Sequence, residues 1–363
     1  MKRSSLFTDT TLERMRAGEI PITLARPGGG IEQATIQLAA AGPDDAHTIE
    51  ELPTYLAGFS QADYVADKLS PPFQVPNLTG IYRSMNEENT FRRVNVDAGL
   101  QDPVPEVGVG SGTAQFRCTI RFCGAFVDRI TEANSTAYSP LQMSGKRAAN
   151  ALMLDREIKV WEQATTLANW NANHRVTLGA TQHWGTGSAS APIDDLRTAV
   201  RASLGGSVHD IWMNWDGIDT FLAHPQVRDY LTFFRGTNGF SELVDKIATL
   251  SKGNEFDFLV PQIGRIRVAP ARVLNETTGI LDYCVENDVV VSWSDTSQPT
   301  DGESMSTFKT AKFAGLAGVG IETRRFNVPN RGPSGGEMIV VAMACVELVT
   351  GPKIGKLIKA AYG

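Results

Sequence analysis

The chain has 363 residues, 42% of them hydrophobic and 20% charged, with a formal net charge of -6. That is enough apolar side chain for two or three compact units, and the negative balance argues against a protein that grips nucleic acid by neutralising phosphates. The longest apolar run, Met338 to Val346, is far short of the ~20 residues a membrane helix needs and fits a strand buried on both faces.

Met1-Lys2-Arg3 is followed by no apolar run, so no secretory signal is expected and the protein is read as soluble and made in the cytoplasm. The four cysteines, Cys118, Cys123, Cys284 and Cys345, form no C-x-x-C pair and are expected to be small reduced core residues. Cys118 and Cys123 are five apart, which on one strand puts them on opposite faces.

Residues 1 to about 60 show no strong periodicity and read as an arm without a core of its own. From Tyr64 to Pro76, prolines at 71, 72 and 76 forbid a helix beyond Leu69 and favour an extended run. Two strand-like segments follow, about 81–96 and 115–127, around a Gly- and Pro-rich tip. In the second, Phe116, Cys118, Ile120 and Phe122 alternate with Arg117, Thr119 and Arg121, a period of two. A two-stranded arm of this kind is barely stable alone, so something must pack against it.

Ser139-Pro140-Leu141-Gln142 reads as a helix start, with Ser as N-cap, Pro at the first helical position and Gln three residues after the Ser. Ala151, Leu154, Ile158, Trp161, Thr165 and Ala168 then recur every three or four residues, predicting a long helix over about 140–169. After a polar connector, a helix is expected from Asp194-Asp195 to about Leu204. A strand is expected over 209–215 and helices over 216–223 and 226–234. Strand-rich stretches should cover 260–274 and 281–293, with further strands from Phe308 to the end.

Catalytic and ligand motifs fail on spacing. Gly315 to Gly320 has the dinucleotide glycines in the wrong order, and Gly351 to Leu357 is one residue short of a phosphate loop and lacks its Ser/Thr. The five histidines, His47, His174, His183, His209 and His224, show no ligand spacing, so no metal and no cofactor is expected. The acidic pairs Asp44-Asp45, Glu87-Glu88 and Asp194-Asp195 read as solvated turns or helix starts. The six tryptophans read as core rather than as a ligand groove. On the hairpin, Arg92, Arg93, Arg117 and Arg121 lie among Glu87, Glu88 and Asp97, a mixture suited to contact with another copy of the chain.

The order of elements is an arm, then Tyr64-Val65-Ala66-Asp67 with its prolines, a long hairpin, a capped long helix and an α/β unit. With Ser139-Pro140-Leu141, Arg156-Glu157, Thr165 to Trp170, Trp184, and Ile218 to Leu222 leading into His224-Pro225, it resembles the major capsid proteins of tailed bacteriophages, over roughly residues 60 to 360. The resemblance implies an α+β fold of the Hong Kong 97 type and no enzymatic activity. It implies an N-terminal arm (1–76) and an extended loop (77–128) lying over a neighbour. It also implies a peripheral domain (129–190 with 307–363) carrying the spine helix, and an axial domain (191–306) at fivefold and sixfold axes. Hexamers and pentamers would close an icosahedral shell around double-stranded DNA, with a separate scaffolding protein, a portal and a decoration protein as partners, in the virion. No lysine occurs between Lys68 and Lys146, so no lysine crosslink from the loop is expected. Assembly contacts are expected at Arg92, Arg93, Glu87, Glu88, Asp97, Arg117, Arg121 and Glu157. The competing readings are an encapsulin-like compartment, a soluble enzyme using Asp195, His209 or His224, and a tail protein.

Overall fold

The computed structural model describes residues 19–25, 31–37, 64–84, 112–135, 139–185, 187–206, 208–233, 257–294, 306–315, 322–331 and 334–362. Strands β1 (Glu19–Ala25) and β2 (Ile31–Gln37) pair antiparallel within the stretch that shows no periodicity in sequence. The one-turn helix α1 (Ala66–Leu69) stops before Pro71-Pro72, where the chain goes extended as β3 (Pro72–Val75). Strands β4 (Thr79–Ser84) and β5 (Gly112–Arg117) form the described part of the expected hairpin.

The second strand of the hairpin leaves its partner sooner than the sequence pattern suggests. At Cys118, whose N–H donates to the Leu78 carbonyl, the chain leaves β4, and β6 (Thr119–Asp128) pairs instead with the long strand β16 (Gly336–Val349). The alternation of Phe116, Cys118, Ile120 and Phe122 on one face is real, but only Phe116 and Cys118 are buried; Ile120 is 50% and Phe122 46% exposed. The helix-covered face carries Cys123, Ala125 and Val127 instead. Cys118 and Cys123 therefore do face opposite ways, and all four cysteines are free thiols.

The short helix α2 (Arg129–Asn134) leads to the long helix α3 (Pro140–Thr165), whose N-cap Ser139 accepts from the Gln142 N–H as its sequence predicts. The helix ends four residues early, because Thr166 turns extended and Leu167–Asn169 forms only a 3-10 turn. Its core face does not follow the stripe of recurring apolar residues. Leu141, Ala148 and Leu152 pack on the larger sheet, whereas Val160, Trp161 and Ala164 pack under α1 and against the other sheet. At 3.6 residues per turn the buried side moves about a third of the way round the helix between its two halves. One straight stripe could not serve both sheets, so Ala151 is exposed and Leu154 and Ile158 only partly covered.

The larger sheet, with five mostly long strands, places β16 at its centre. Strand β6 lies along one side. On the other side β15 (Glu322–Val328) and β14 (Phe308–Phe313) share the length of β16, with β3 parallel to β14 beyond. The base of the hairpin packs on this sheet through Phe116, Tyr82 and Leu348 on the side away from α3.

The second sheet has six strands in the order β7-β17-β13-β8-β10-β9. They are β7 (Arg175–Thr177), β8 (Asp210–Met213), β9 (Asp257–Val260), β10 (Gly264–Val268), β13 (Val289–Ser292) and β17 (Lys356–Lys359). Helices α4 (Pro192–Ala202), α5 (Trp215–Ala223) and α6 (225–233) cover it around Leu196, Phe221 and Leu231. The chain's final strand and β7 thus belong with the unit expected to span 191–306, not with the larger sheet. Between β10 and β13 the chain makes a separate small hairpin, β11 (Arg272–Leu274) and β12 (Leu281–Tyr283).

Candidate functional site

Buried polar residues are where catalytic chemistry would sit. Among the described residues no three His, Cys, Asp or Glu side chains converge as a metal would require. His209, on the lead into β8, has its Nε2 2.7 Å from Ser203 Oγ at the end of α4, a pairing that resembles a nucleophile and its base. The hydrogen bonds run the wrong way for that role. Ser203 Oγ donates to the Ile354 carbonyl and accepts from the Gly205 N–H, so the Nε2–H of His209 is the donor to the serine. Among the described residues Nδ1 is buried with no partner, where a nucleophile's base would have an orienting carboxylate.

His209 is therefore a neutral bracket joining α4, β8 and the 350s turn. Its burial holds the imidazole pKa below the usual 6.5. A depressed histidine pKa means stability is complete above pH 6.5 and falls as the pH drops below it, because the unfolded chain takes up the proton first. His209→Gln keeps a donor toward Ser203 without the titration. Its melting temperature should vary less between pH 6.5 and 5 than that of the parent chain; an unchanged pH slope would remove His209 as the cause.

The other two groups considered for catalysis are occupied elsewhere. Asp195 accepts from Trp184 Nε1 at 3.0 Å, and burial pushes its carboxyl above the usual range. His224 Nδ1 accepts from the Gln226 N–H at the start of α6. Four tryptophans, Trp161, Trp170, Trp184 and Trp212, are buried, in keeping with the core reading.

The strongest polar constellation lies where α3 crosses beneath the residues before β3. Glu157 is fully buried, and its Oε1 accepts from the Val65 N–H (3.3 Å) and Trp161 Nε1 (2.8 Å), its Oε2 from the Ala66 N–H (2.8 Å). Next to it, buried Arg156 binds Asp67 at 2.6 Å, and Lys312 from β14 lies 3.5 Å from the same carboxylate. Burial would raise the Asp67 pKa, but the two cations outweigh it and hold it below 3.8. These bonds tie three elements that meet only in the folded chain.

That placement corrects the expectation for Glu157. All three of its bonds are made inside the subunit, so it braces the chain and offers no acceptor to a neighbour. Arg121 is likewise engaged within the chain, bidentate to Glu347 at 2.9 and 2.7 Å with Asp155 of α3 beyond at 3.8 Å. Arg117 is exposed on β5. Glu87, Glu88, Arg92, Arg93 and Asp97 lie outside the described residues.

What the described surface does show is apolar area without cover. Ile120 and Phe122 stand on the face of the larger sheet opposite α3. Leu274, Ile280 and Leu281, at 56%, 62% and 56% exposure, crown the small hairpin. Met143 is 41% exposed on α3. Single exposed apolar residues mean little, but clusters of them on ordered strands mark surfaces used for association. The sequence reading missed these because strand and helix periodicity reports that a face is apolar, not whether something lies on it.

No family model matches the chain, and no curated protein matches its sequence. Among solved structures, a phage-related protein from Bordetella bronchiseptica RB50 is 19% identical, with a TM-score of 0.61 over 86% of this chain and 96% of that one. A putative capsid protein of an Escherichia coli CFT073 prophage is 11% identical, with a TM-score of 0.50 over 86% and 99%. The capsid of cyanophage P-SCSP1u is 11% identical, with a TM-score of 0.51 over 81% and 87%. The chain has the α+β fold of phage capsid proteins, the fold expected from the order of its elements.

Proposed function

We propose that the chain is the major capsid protein of a tailed bacteriophage, assembling as hexamers and pentamers into the icosahedral shell around a double-stranded DNA genome. The observation that carries this is the likeness of fold over 87% and 99% of the cyanophage and prophage capsid chains. Fold alone is a poor guide to an enzyme's reaction. For a shell subunit it lies closer to the function, which is the closing of repeated surfaces on one another. The uncovered apolar faces of the sheet and of the small hairpin are the area such surfaces need.

In this reading the arm ends before β3 and the loop over a neighbour ends by Cys118, because β3 and β6 are strands of the larger sheet. The larger sheet with α3 is the peripheral unit. The six-stranded sheet, with β7 and β17 included, meets its copies at the fivefold and sixfold axes. Arg92, Arg93, Glu87, Glu88, Asp97 and Arg117 serve as contacts between copies. The net charge of -6 keeps the wall from trapping the packaged polymer. A scaffolding protein, a portal and a decoration protein act as partners, and the protein resides in the virion.

Negative-stain electron microscopy of the purified chain, with light scattering on the same sample, tests this. Closed shells, tubes or ring-shaped capsomers are the expected result, with DNA inside native particles. Particles filled with a protein cargo and no DNA would indicate an enzyme-loaded compartment. A monomer or dimer unchanged by concentration would overturn the capsid reading.

A further inference from the structure

The outward side of α3 is apolar along its middle, where a free surface helix would be polar, and carries one charge toward each end. Met143, Arg147, Ala151, Leu154, Ile158 and Glu162 recur at spacings of four, four, three, four and four, which places them on one continuous face. Met143, Arg147, Ala151 and Glu162 are exposed, and Leu154 and Ile158 are only partly covered. Among the described residues neither Arg147 nor Glu162 makes an ion pair. Glu162 also sits in the helix's last turn, where the macrodipole favours a cation, so the isolated subunit gains nothing from it there.

The spacing of this stripe is symmetric. The midpoint of α3 (Pro140–Thr165) falls between Leu152 and Met153, and inverting the helix about that point exchanges Ala151 with Leu154, Arg147 with Ile158, and Met143 with Glu162. We infer that this face docks antiparallel on the same face of a second copy, across a twofold axis at the helix midpoint. Small Ala151 then meets the partner's Leu154 near the axis, which allows close approach. Arg147 reaches the partner's Glu162, one turn beyond the partner's Ile158, at both ends of the contact. Within one chain those two charges are fifteen residues apart, about 22 Å along the helix, so they complement each other only between copies.

The contact rests on the self-assembly reading above and names one surface that it would use. It is isologous, as a twofold interface must be. One helix pair buries less than a stable dimer needs, so it works as one contact among several in an assembly.

The test introduces Ala151→Cys into the full-length chain and treats it with a short bis-maleimide, with the parent chain as control for the native cysteines. Arg147→Glu, Glu162→Arg and the double reversal are then added to the Ala151→Cys background. The expected result is a covalent dimer for Ala151→Cys alone, a yield roughly tenfold lower with either single reversal, and recovery in the double reversal. No dimer above the control would overturn the inference. So would a double reversal as poor as the singles, which would point to a different protein on this face. The outcome separates from that of the capsid reading. Shells without the dimer sink only the helix contact, and the dimer without shells sinks only the capsid.

Discussion

Replacing Trp161 by alanine is expected to cost about 3–5 kcal/mol of folding stability, the range for deleting a large aromatic from a packed core. Trp161 is fully buried on the second half of α3 and meets Trp212 of the six-stranded sheet edge to face, ring centroids 6.1 Å apart. Trp212 in turn donates to Ser292 on β13. The indole therefore joins α3 to the second sheet, and its loss opens a cavity where they meet. It also removes one of the three donors to Glu157. Trp161→Phe keeps most of the packing and loses the donor, so it should fall between the parent and the alanine variant. Urea unfolding followed by circular dichroism measures all three. A cost below about 1 kcal/mol for alanine would mean the two units are not coupled through this contact.

Removing the carboxylate of Glu157 should be nearly as damaging, for a different reason. Glu157→Ala leaves three buried donors facing nothing, where breaking a buried charged network typically costs about 3–5 kcal/mol. Glu157→Gln keeps the volume but turns an amide N–H2 toward the Ala66 N–H or toward the Val65 and Trp161 donors. One orphaned buried donor costs about 1–3 kcal/mol. The damage should be local to α1, whose first residues Glu157 holds. Trypsin cleavage after exposed Lys68 should accelerate in both variants before global unfolding does. Equal cleavage rates in parent and variants would show that Arg156 and its pair with Asp67 hold the segment by themselves.

Both residues illustrate how far the sequence could be read. The Ser139-Pro140 start of α3, the stop before Pro71-Pro72, the helices after Pro192 and Asn214, and the strand near 210–213 were legible because each rests on local chemistry. Arg156-Glu157 was visible as a pair, but its role was not. A carboxylate buried beneath backbone amides ninety residues earlier leaves no pattern in the neighbouring sequence. The same holds for Arg121, whose partner Glu347 lies 226 residues away. Surface charge was inferred for both where the fold provides a private partner.

The sequence by itself determined those starts and stops that rest on local chemistry, such as Ser139-Pro140 and Pro71-Pro72, and which faces are apolar, because backbone sterics, capping and side-chain period act over a few residues. It also determined the order of elements, and through it the fold class. Only the tertiary structure decided which apolar face is covered. The helix α3 serves two sheets, so its buried side turns along its length and the stripe at Ala151, Leu154 and Ile158 is left outside. The chain changes partner at Cys118, from β4 to β16, so Phe116 is buried and Phe122, on the same face, is not. Burial depends on what arrives from elsewhere in the chain or from another copy of it, and periodicity carries no record of that.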